Sequence, residues 1–560
     1  MSSEEWVQNA IWWQVYPLGF TGAEQQGDPD GPVRQRLDRV VEWLDYAVEL
    51  GASGIALGPI FASQTHGYDT VDHLRIDPRL GDAASFARLV EAAHGRGLRL
   101  LLDGVFNHVG RGFPAFRRVL EQGPSAPESD WFRLTWPDGA GPGTEPGYGD
   151  FEGHSELVAL NHDSPAVVDH VVEVMNHWLD AGADGWRLDA AYAVPEAFWA
   201  RVLPRVREKH PDVYVVGEVI HGDYPAFVEA SGVDAVTQYE LWSSIRNALA
   251  DGNLFELDWN LKRHNEFLET FVPMTFVGNH DVTRLASALP EQLLPHALAV
   301  LFTVAGTPAV YYGDEQAYRG VKEERAGGDD QIRPEFPVDG PESLSELGMP
   351  IFYVHQELIG LRRRHPWLHT ARTTAVELQN TRAVLESRSA DGTRRLRLAL
   401  NLDEQPAELP GPGRGRGAGR ARRPARGEGR ARPARLGRRR GLIGSPWVVA
   451  SERPPIAGRR IRPSVAPDEP PVATRWGHPS TPRHLFVRSS FYRTCTRSSS
   501  GRVPVTSERG AGRWRAIPRC GRPRRTTQSR AARDGGGRHS SAGPRRVLPR
   551  SSRSSWVQGC

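Results

Sequence analysis

Short apolar runs alternate with amphipathic segments along most of the first 370 residues of the chain. Eight runs have the length of buried strands, and they cover residues 12–16, 54–57, 99–103, 185–189, 213–218, 235–238, 274–278 and 309–312. Residues 36–50, 83–96, 167–179 and 196–208 carry apolar side chains at helical spacing. Strands that alternate with helices form parallel sheets, and eight of them predict an α/β protein with a (β/α)₈ TIM barrel. Trp12, Trp13 and Trp186 fit core positions.

The longest interval between two predicted strands follows the third one. Residues 104–163 include the Gly- and Pro-rich stretch Gly139-Ala-Gly-Pro-Gly-Thr-Glu-Pro-Gly147, which predicts a long inserted excursion rather than another helix. The barrel is therefore expected to comprise residues 1–103 and 164–372. Residues 373–410 alternate as strands around a turn at Asp391-Gly392, which indicates an incomplete C-terminal β-domain.

The composition of the chain changes abruptly beyond that β-domain. Residues 411–560 contain 36 Arg, no Lys and 6 acidic residues, whereas the first 410 residues contain 34 basic and 61 acidic residues. The formal net charge of +3 is thus the average of an acidic body and a basic tail. Because the tail is rich in Arg, Pro, Gly and Ser and has no sustained periodicity, we predict that it is disordered.

Two interpretations of the tail are open. Its arginines would attract nucleic-acid phosphates, although we do not expect such binding to be physiological. G/C-rich coding DNA that is read in the wrong frame yields the same residue types, so our hypothesis is a frameshift that replaced the rest of the β-domain. Reading the gene in the other two frames beyond Pro410 should restore strand-like sequence, and the hypothesis fails if neither frame does so.

Cysteine usage and hydropathy exclude several classes of protein. Cys495, Cys520 and Cys560 all lie in the tail, and their spacing matches no zinc or disulfide framework. The N-terminus lacks the basic region and apolar stretch of a secretory signal. The longest apolar stretch, residues 293–312, is interrupted by two prolines and a histidine. We therefore expect a cytoplasmic protein without a membrane span.

Polar residues cluster where four predicted strands end, which is where the active site of a (β/α)₈ barrel lies. Arg187 and Asp189 are two residues apart on one strand, so both are expected to point into the barrel mouth. The guanidinium should keep Asp189 ionised, and Glu218, which follows apolar residues, is placed to keep its proton. One ionised and one protonated carboxyl group serve glycoside hydrolysis, and a separation of about 5–5.5 Å predicts retention. A purely structural ion pair is the competing interpretation.

Six motifs in order make this pattern specific. They are Gly67-Tyr-Asp69, Asp103-Gly-Val-Phe-Asn-His108, Gly185-Trp-Arg-Leu-Asp189, Gly217-Glu218, Gly278-Asn-His-Asp281 and Gly306-Thr-Pro-Ala-Val-Tyr-Tyr-Gly-Asp-Glu315. With these motifs the chain resembles the α-amylase family of glycoside hydrolases over roughly residues 10–405. In that family residues 104–163 would be the domain B insertion.

The resemblance implies a role for each matching residue. Asp189 would be the nucleophile, Glu218 the general acid/base and Asp281 a third carboxylate that grips the hydroxyls of the reacting sugar. Arg187 would orient the nucleophile. The remaining residues implied at the same sugar are Tyr68, which would stack beneath it, Asp103, His108, His280 and the pair Asp329 and Arg333.

Two further segments indicate a particular branch of the α-amylase family. Leu157-Val-Ala-Leu-Asn161 and Glu218-Val-Ile-His221 resemble the oligosaccharide-acting branch, meaning neopullulanases, cyclomaltodextrinases and oligo-glucosidases, which adds His221 as a sugar-binding candidate. Calcium-dependent relatives tend to carry Lys-His after the nucleophile strand, where this chain has Tyr192-Ala193. Asn107 alone is a weak calcium candidate, because calcium takes six to eight oxygen ligands. We therefore expect no metal and no other cofactor.

The expected activity is that of a retaining α-glycosidase acting on α-1,4- or α-1,6-linked gluco-oligosaccharides. A transglycosylase or isomerase of the trehalose-synthase type would use the same covalent intermediate, and product analysis on maltotetraose would separate it from a hydrolase. The sequence is also compatible with a non-catalytic carbohydrate-binding protein or with a non-functional truncated gene product.

Overall fold

Eight short parallel strands lie side by side in a computed structural model that describes residues 6–325, 327–403, 405 and 447–452. They are β1 Trp12–Val15, β2 Gly54–Leu57, β3 Arg99–Gly104, β4 Gly185–Leu188, β5 Tyr214–Gly217, β6 Ala235–Val236, β7 Met274–Phe276 and β8 Thr307–Tyr311. Their order in the sheet is β6-β5-β4-β3-β2-β1-β8-β7. A parallel bridge between Thr237 and Met274 joins the two end strands. The predicted (β/α)₈ barrel and its eight strand positions are confirmed.

Helices follow the strands around the barrel. The α-helices are α1 Pro17–Phe20, α2 Leu37–Glu42, α3 Leu44–Leu50, α4 Ala83–Gly95, α5 Pro114–Gln122, α6 Pro165–Asp180, α7 Glu196–Lys209, α8 Tyr224–Ser231, α9 Tyr239–Ala250, α10 Leu254–Phe267, α11 Leu285–Ala288, α12 Leu294–Thr303 and α13 Met349–Arg364. Short 3₁₀ helices of three to five residues cover Gly123–Ser125, Pro127–Trp131, Ala191–Ala193, Glu291–Leu293, Asp314–Gln316, Pro341–Ser343 and Pro366–Thr370.

Local sequence signals set some of these helix boundaries. Asp82 and Ser85 form a capping box at the start of α4, in which the Asp82 carboxylate accepts a hydrogen bond from the Ser85 amide at 2.9 Å. The single helix expected over residues 36–50 is two helices, because the backbone of Trp43 (ψ 0°) departs from helical geometry between α2 and α3.

The barrel and its helices share one core built around large aromatic side chains. Trp12, Trp13, Trp43, Trp186 and other tryptophans are fully buried. The sequence-based assignment of Trp12, Trp13 and Trp186 to the core is therefore confirmed. Full burial of a side chain of this size is worth about 1.5–3 kcal/mol or more of transfer free energy, so these residues contribute strongly to the stability of the barrel.

The insertion after β3 has its own small sheet. Strands His108–Gly110, His154–Ala159 and Asp150–Phe151 pair in that order, and Leu134–Thr135 pairs with Gly147–Tyr148. A further hairpin, Phe61–Ser63 with Thr70–Ile76, follows β2. The excursion expected over residues 104–163 does contain a helix, α5, which the Gly- and Pro-rich signal later in the segment obscured. Helix α5 buries Ala115, Phe116 and Val119.

A four-stranded antiparallel sheet follows the barrel. Its strands are β9 Arg372–Leu378, β10 Arg382–Arg388, β11 Arg394–Asn401 and β12 Trp447–Glu452, in that order across the sheet. The turn expected at Asp391-Gly392 joins β10 to β11, and Gly392 adopts the positive φ (68°) that favours glycine. Leu385 and Leu398 belong to the same core as the barrel.

Strand β12 corrects one prediction. The disorder expected throughout the tail does not hold for residues 447–452, which pair with β11 in a regular antiparallel register from Arg394 opposite Glu452 to Ala399 opposite Trp447. Backbone pairing with an existing sheet edge supplies the hydrogen bonds that the sequence pattern of the segment alone did not indicate. The disorder and frameshift predictions for the rest of residues 411–560, and the three cysteines, lie outside the described residues. Among the residues that are described, no helix is long and apolar enough to cross a membrane.

Buried histidines make the stability of this fold sensitive to acid. Burial lowers the pKa of ten described histidines below the usual value of about 6.5, so the most strongly shifted ones stay neutral in the folded protein while the unfolded chain binds protons. The strongly shifted ones are His73, His108 and His280, with pKa values of about 3, and His162, His264, His355 and His369, with values of about 4. Burial raises the pKa of four carboxyl groups instead, to about 6 for Asp103 and Asp314, to about 7 for Glu315 and well above the usual range for Asp189.

We predict that the thermal midpoint falls by at least about 5 °C between pH 7 and pH 5, as measured by scanning calorimetry. Each strongly shifted histidine loses stability as the pH falls below about 6.5, by about 2 kcal/mol at pH 5. The raised carboxyl groups gain stability over the same window, but the histidines outnumber them. His355→Gln should flatten the dependence by about 1.4 kcal/mol per pH unit. An equal midpoint at both pH values would contradict the prediction.

Candidate active site

The register of the barrel brings four of the predicted residues to one end of neighbouring strands. Arg187 in β4 lies directly opposite Asp103 in β3. Asp189 is the first residue beyond β4, and its amide donates to the Gly104 carbonyl at 3.0 Å. Glu218 is the first residue beyond β5, and its amide donates to the Leu188 carbonyl at 2.9 Å. These backbone bonds fix three carboxyl groups around one guanidinium.

The Arg187 guanidinium is buried and contacts all three carboxyl groups. Nη1 donates to both oxygens of Asp103, at 2.7 and 2.6 Å, and lies 3.4 Å from Asp189 Oδ1. Nη2 lies 2.7 Å from Glu218 Oε1. Arg187 therefore makes its shortest contacts with Asp103 and Glu218 and a longer one with the predicted nucleophile.

Crowded carboxyl groups shift one another's protonation. Burial raises the pKa of Asp189 well above its ordinary value, and the charge of Glu218 raises it further, while Arg187 opposes both effects. Burial also raises the pKa of Asp103 to about 6 against the opposing charge of Arg187. The guanidinium, which was expected to keep Asp189 ionised, is shared with two closer carboxyl groups, and the pKa of Asp189 shifts in the opposite direction.

Glu218 is held from two further directions. The Ala190 amide donates to Oε2 at 2.9 Å, and the Tyr239 hydroxyl donates to Oε1 at 2.9 Å. Tyr239 in turn accepts a hydrogen bond from the Asn279 side chain at 2.8 Å. Ala190 has a positive φ of 45°, a conformation that costs a non-glycine residue energy and that clusters at functional sites. This backbone geometry aims its amide at Glu218.

Asp281 has a separate set of partners. His280 Nε2 lies 3.0 Å from Oδ2, and Arg333 Nη2 lies 3.0 Å from Oδ1. The same Arg333 nitrogen lies 2.9 Å from Asp329 Oδ2. Although burial opposes it, the interaction with His280 and the charges of Arg333 and Arg187 lower the pKa of Asp281 to about 2. Asp281 is thus ionised at neutral pH, and the predicted Asp329 and Arg333 pair lies beside it.

Tyr68 links the carboxyl groups around Arg187 to the residues around Asp281. Its hydroxyl donates to Asp103 Oδ2 at 3.2 Å and contacts His280 Nε2. His108 Nε2 lies 3.1 Å from the Tyr68 carbonyl, and its ring stacks on Phe151 of the insertion, with centroids 4.7 Å apart. Burial lowers the pKa of both His108 and His280 to about 3, so both rings are neutral. The structure therefore gathers these predicted sugar-binding residues into one site.

His221 lies outside this hydrogen-bonded group. Its side chain is exposed, and its ring centroid is 5.4 Å from that of Tyr192. The Tyr192 hydroxyl donates to Glu152 in the insertion at 2.9 Å. A role for His221 in substrate binding stays a prediction.

The side chain of Asn107, the weak calcium candidate, contacts the ring of His108. Its Nδ2 lies 3.1 Å from His108 Nδ1. The described residues contain no group of three or more His, Cys, Asp or Glu side chains that could hold a metal ion. One amide side chain does not supply the six to eight oxygen ligands that calcium takes, so this donor set fits calcium poorly.

Several residues at this site were not predicted from the sequence. Tyr239 and Asn279 form the chain of hydrogen bonds to Glu218, and Gln14 Nε2 lies 3.2 Å from His280 Nδ1. The Tyr16 ring lies against the Arg333 guanidinium, with 4.8 Å between the ring centroid and Cζ. Each of them lies in or just beyond a barrel strand, so a systematic search of strand ends would have found them.

The fold and the site define a class of protein, a (β/α)₈ barrel with a carboxylate active site at the C-terminal ends of its strands. Comparison with known families makes the class specific. The model of the α-amylase catalytic domain matches residues 14–396. The chain belongs to the α-amylase family, which confirms the resemblance seen in the sequence motifs.

Curated relatives lie in the oligosaccharide-acting branch. The chain is 32% identical to a cyclomaltodextrinase of Bacillus sp, covering 65% of this chain and 67% of that protein. It is 33% identical to neopullulanase 2 of Thermoactinomyces vulgaris, covering 65% and 64% respectively. It is also 33% identical to a maltogenic α-amylase of Bacillus acidopullulyticus, over 56% of this chain and 57% of the relative. The chain therefore spans 57–67% of the length of these three relatives.

Solved structures of two similar proteins share the fold. One is the cyclic α-maltosyl-(1→6)-maltose hydrolase of Arthrobacter globiformis in complex with cyclic α-maltosyl-(1→6)-maltose, with a TM-score of 0.61 and 26% identity over 71% of this chain and 91% of that one. The other is the debranching enzyme of Nostoc punctiforme, with a TM-score of 0.62 and 28% identity over 72% and 89%.

We predict that Tyr239→Phe lowers kcat several-fold across the pH range. The hydroxyl donates to Glu218 Oε1 and helps to hold the carboxyl group in position, so its loss leaves the general acid/base less well oriented. The measurement is initial-rate kinetics on maltotetraose from pH 4 to pH 9. Tyr353→Phe removes an exposed hydroxyl on α13 and is the matched control. A Tyr239→Phe profile that superimposes on the wild type would contradict this role.

Proposed function

We propose that this chain is a retaining α-glycosidase that hydrolyses α-1,4- or α-1,6-glucosidic bonds in malto-oligosaccharides or related α-glucans. The observation that carries the proposal is the grouping of Asp189 and Glu218 around Arg187, with ionised Asp281 beside them. Two carboxyl groups flanking one position are the equipment of glycoside hydrolysis. The names of the cyclomaltodextrinase and neopullulanase relatives support the substrate class.

In the first step a carboxylate oxygen of Asp189 attacks the anomeric carbon. The bond from that carbon to the glycosidic oxygen breaks, and Glu218 donates its proton to the leaving oxygen. The product of this step is a glycosyl ester on Asp189. In the second step Glu218 takes a proton from water, the water oxygen bonds to the anomeric carbon and the ester bond to Asp189 breaks, which releases the sugar with retained configuration.

Substrate binding has to favour the ionised form of Asp189. Burial raises the pKa of Asp189, whereas the attack on the anomeric carbon needs its carboxylate form. A glycosidic oxygen next to Glu218 accepts a hydrogen bond only from the protonated carboxyl group, and positive charge that develops at the anomeric carbon stabilises ionised Asp189. Substrate binding thus opposes the effect of burial on Asp189.

The remaining residues hold the reacting sugar. Ionised Asp281 accepts hydrogen bonds from sugar hydroxyls, and neutral His108 and His280 add donors or acceptors. Asp329 and Arg333 bind the non-reacting side, and the Tyr68 ring packs beneath the sugar. We place the enzyme in the cytoplasm, in keeping with the intracellular maltogenic amylase of Bacillus subtilis to which it is 31% identical.

Asp189→Ala should abolish hydrolysis of maltotetraose, and Glu218→Gln should lower kcat by about 10²–10⁴-fold. Asp189→Ala removes the nucleophile, while Arg187 keeps its shorter contacts with Asp103 and Glu218, so the fold stays intact. Anomer-resolved product detection also checks retention and separates hydrolysis from glucosyl transfer. Glu196→Gln, at an exposed glutamate in the first turn of α7, is the control. Wild-type rates in either site variant would refute the assignment.

We propose further that activity does not depend on calcium, because the Asn107 side chain contacts His108 and the described residues hold no group of three or more His, Cys, Asp or Glu side chains that could bind a metal ion. Dialysis against a strong chelator should leave both kcat on maltotetraose and the thermal midpoint unchanged, and added Ca²⁺ should raise neither. A loss of activity that Ca²⁺ alone restores would contradict the proposal.

A further inference from the structure

The surface of helix α10 carries an exposed aromatic pair that the active site does not use. The side chain of Trp259 is 67% exposed and that of Phe255, one turn earlier, is 48% exposed. Every other tryptophan whose side chain the structure describes is buried or half-buried. Because the Trp259 ring stays in water, it does not gain the transfer free energy that burial gives to the tryptophans of the barrel. Trp259 is therefore a candidate for contact with a ligand.

Charged groups lie on the same face of this helix. At 100° per residue, Phe255, Asp258, Trp259 and Lys262 fall within about 100° of the helix circumference. Asp258 and Lys262 form an ion pair, with 2.8 Å between Oδ2 and Nζ, and the Lys262 side chain is largely exposed. The face thus presents two ring surfaces beside hydrogen-bonding groups.

Strand β9 completes the concave part of this surface. A cavity of about 250 Å³ lies between α10 and the strand and is lined by Asp258, Lys262 and residues 374–378. Strand β9 is an edge strand, and its pairing with β10 is irregular between Ala375 and Glu377. Such an irregularity re-aims side chains and is common at sheet edges and next to active sites. The intervening Val376 is exposed at the cavity.

The dimensions favour a small, extended ligand over a protein partner. A stable protein interface buries about 800 Å² and about 20–30 residues per partner, whereas the apolar exposure here is limited to Phe255, Trp259 and Val376. The cavity is also smaller than the roughly 300–1,000 Å³ of sites that enclose a drug-sized molecule. It has room for one ring of a longer chain whose other rings lie along the surface.

We propose that α10 and the edge of β9 form a second α-glucan-binding surface, separate from the active site. Here "glucan surface" means Phe255, Asp258, Trp259, Lys262 and residues 374–378. The apolar face of a glucose ring packs on Trp259 and Phe255, while the sugar hydroxyls meet the exposed Lys262 ammonium group, which the buried Asp258 carboxylate holds in place, and the backbone edge of β9. The choice of an α-glucan rests on the proposed function. The surface would hold a long substrate on the enzyme between catalytic events.

Affinity electrophoresis through gels that contain amylopectin tests this surface without requiring turnover. In a Glu218→Gln background, we expect the parent to be retarded and Trp259→Ala to weaken apparent affinity at least fivefold. Trp259→Phe should retain most of the affinity, because it keeps an aromatic ring. Tyr353→Ala, at an aromatic residue 58% exposed on α13, should match the parent. Since Trp259 is mostly in water, its truncation leaves the fold intact.

Several outcomes would overturn the proposal. They are an unretarded parent, equal retardation of the Trp259→Ala variant, and a change of oligomeric state in that variant by light scattering, which would assign the surface to a protein contact. In the enzyme with Glu218 intact, Trp259→Ala should leave turnover of p-nitrophenyl α-maltoside unchanged and lower kcat/KM on amylopectin. If turnover of every α-glucan fails while retardation depends on Trp259, the proposed function falls and the glucan surface stands.

Discussion

A single buried guanidinium holds the centre of this molecule together. Arg187 contacts Asp103, Asp189 and Glu218, which arrive from three neighbouring strands of the barrel. Three carboxyl groups at this spacing would repel one another in a site closed to water, and a buried charge without a partner costs several kcal/mol. The cation makes the cluster possible, and it lies closer to Asp103 and Glu218 than to Asp189. This arrangement gathers the carboxyl groups of the proposed reaction around one charge.

The rest of the barrel keeps this cluster in place. Parallel register sets Arg187 opposite Asp103, and backbone amides of the residues after β4 and β5 tie Asp189 and Glu218 to the adjacent strands. The left-handed conformation of Ala190 turns one more amide toward Glu218. Rigid strand ends are well suited to this task, because catalytic groups need to be held within about 0.5 Å of their working positions. Fully buried tryptophans in β1, in β4 and in the surrounding helices pack the barrel tightly.

The surroundings of Asp281 differ from those of Asp189 in the charges of the neighbouring side chains. Asp281 faces Arg333 and His280 and is ionised, whereas burial and neighbouring acids raise the pKa of Asp189. When carboxyl groups lie in different environments, their pKa values differ. They can then take different roles as acid, nucleophile or substrate-binding group. The neutral rings of His108 and His280 add hydrogen bonds without adding charge, which suits a site for uncharged sugars.

The amino-acid sequence by itself determined the eight strands, the strand-end motifs and the family, because hydrophobic period and residue spacing are local properties of the chain. It also placed Asp189, Glu218 and Asp281 at the barrel mouth. Only the tertiary structure decided how Arg187 divides its contacts, that Tyr239 donates to Glu218, and that residues 447–452 pair with β11. Those facts depend on distances between segments remote in sequence, and pKa values and strand pairing respond to such distances rather than to local pattern.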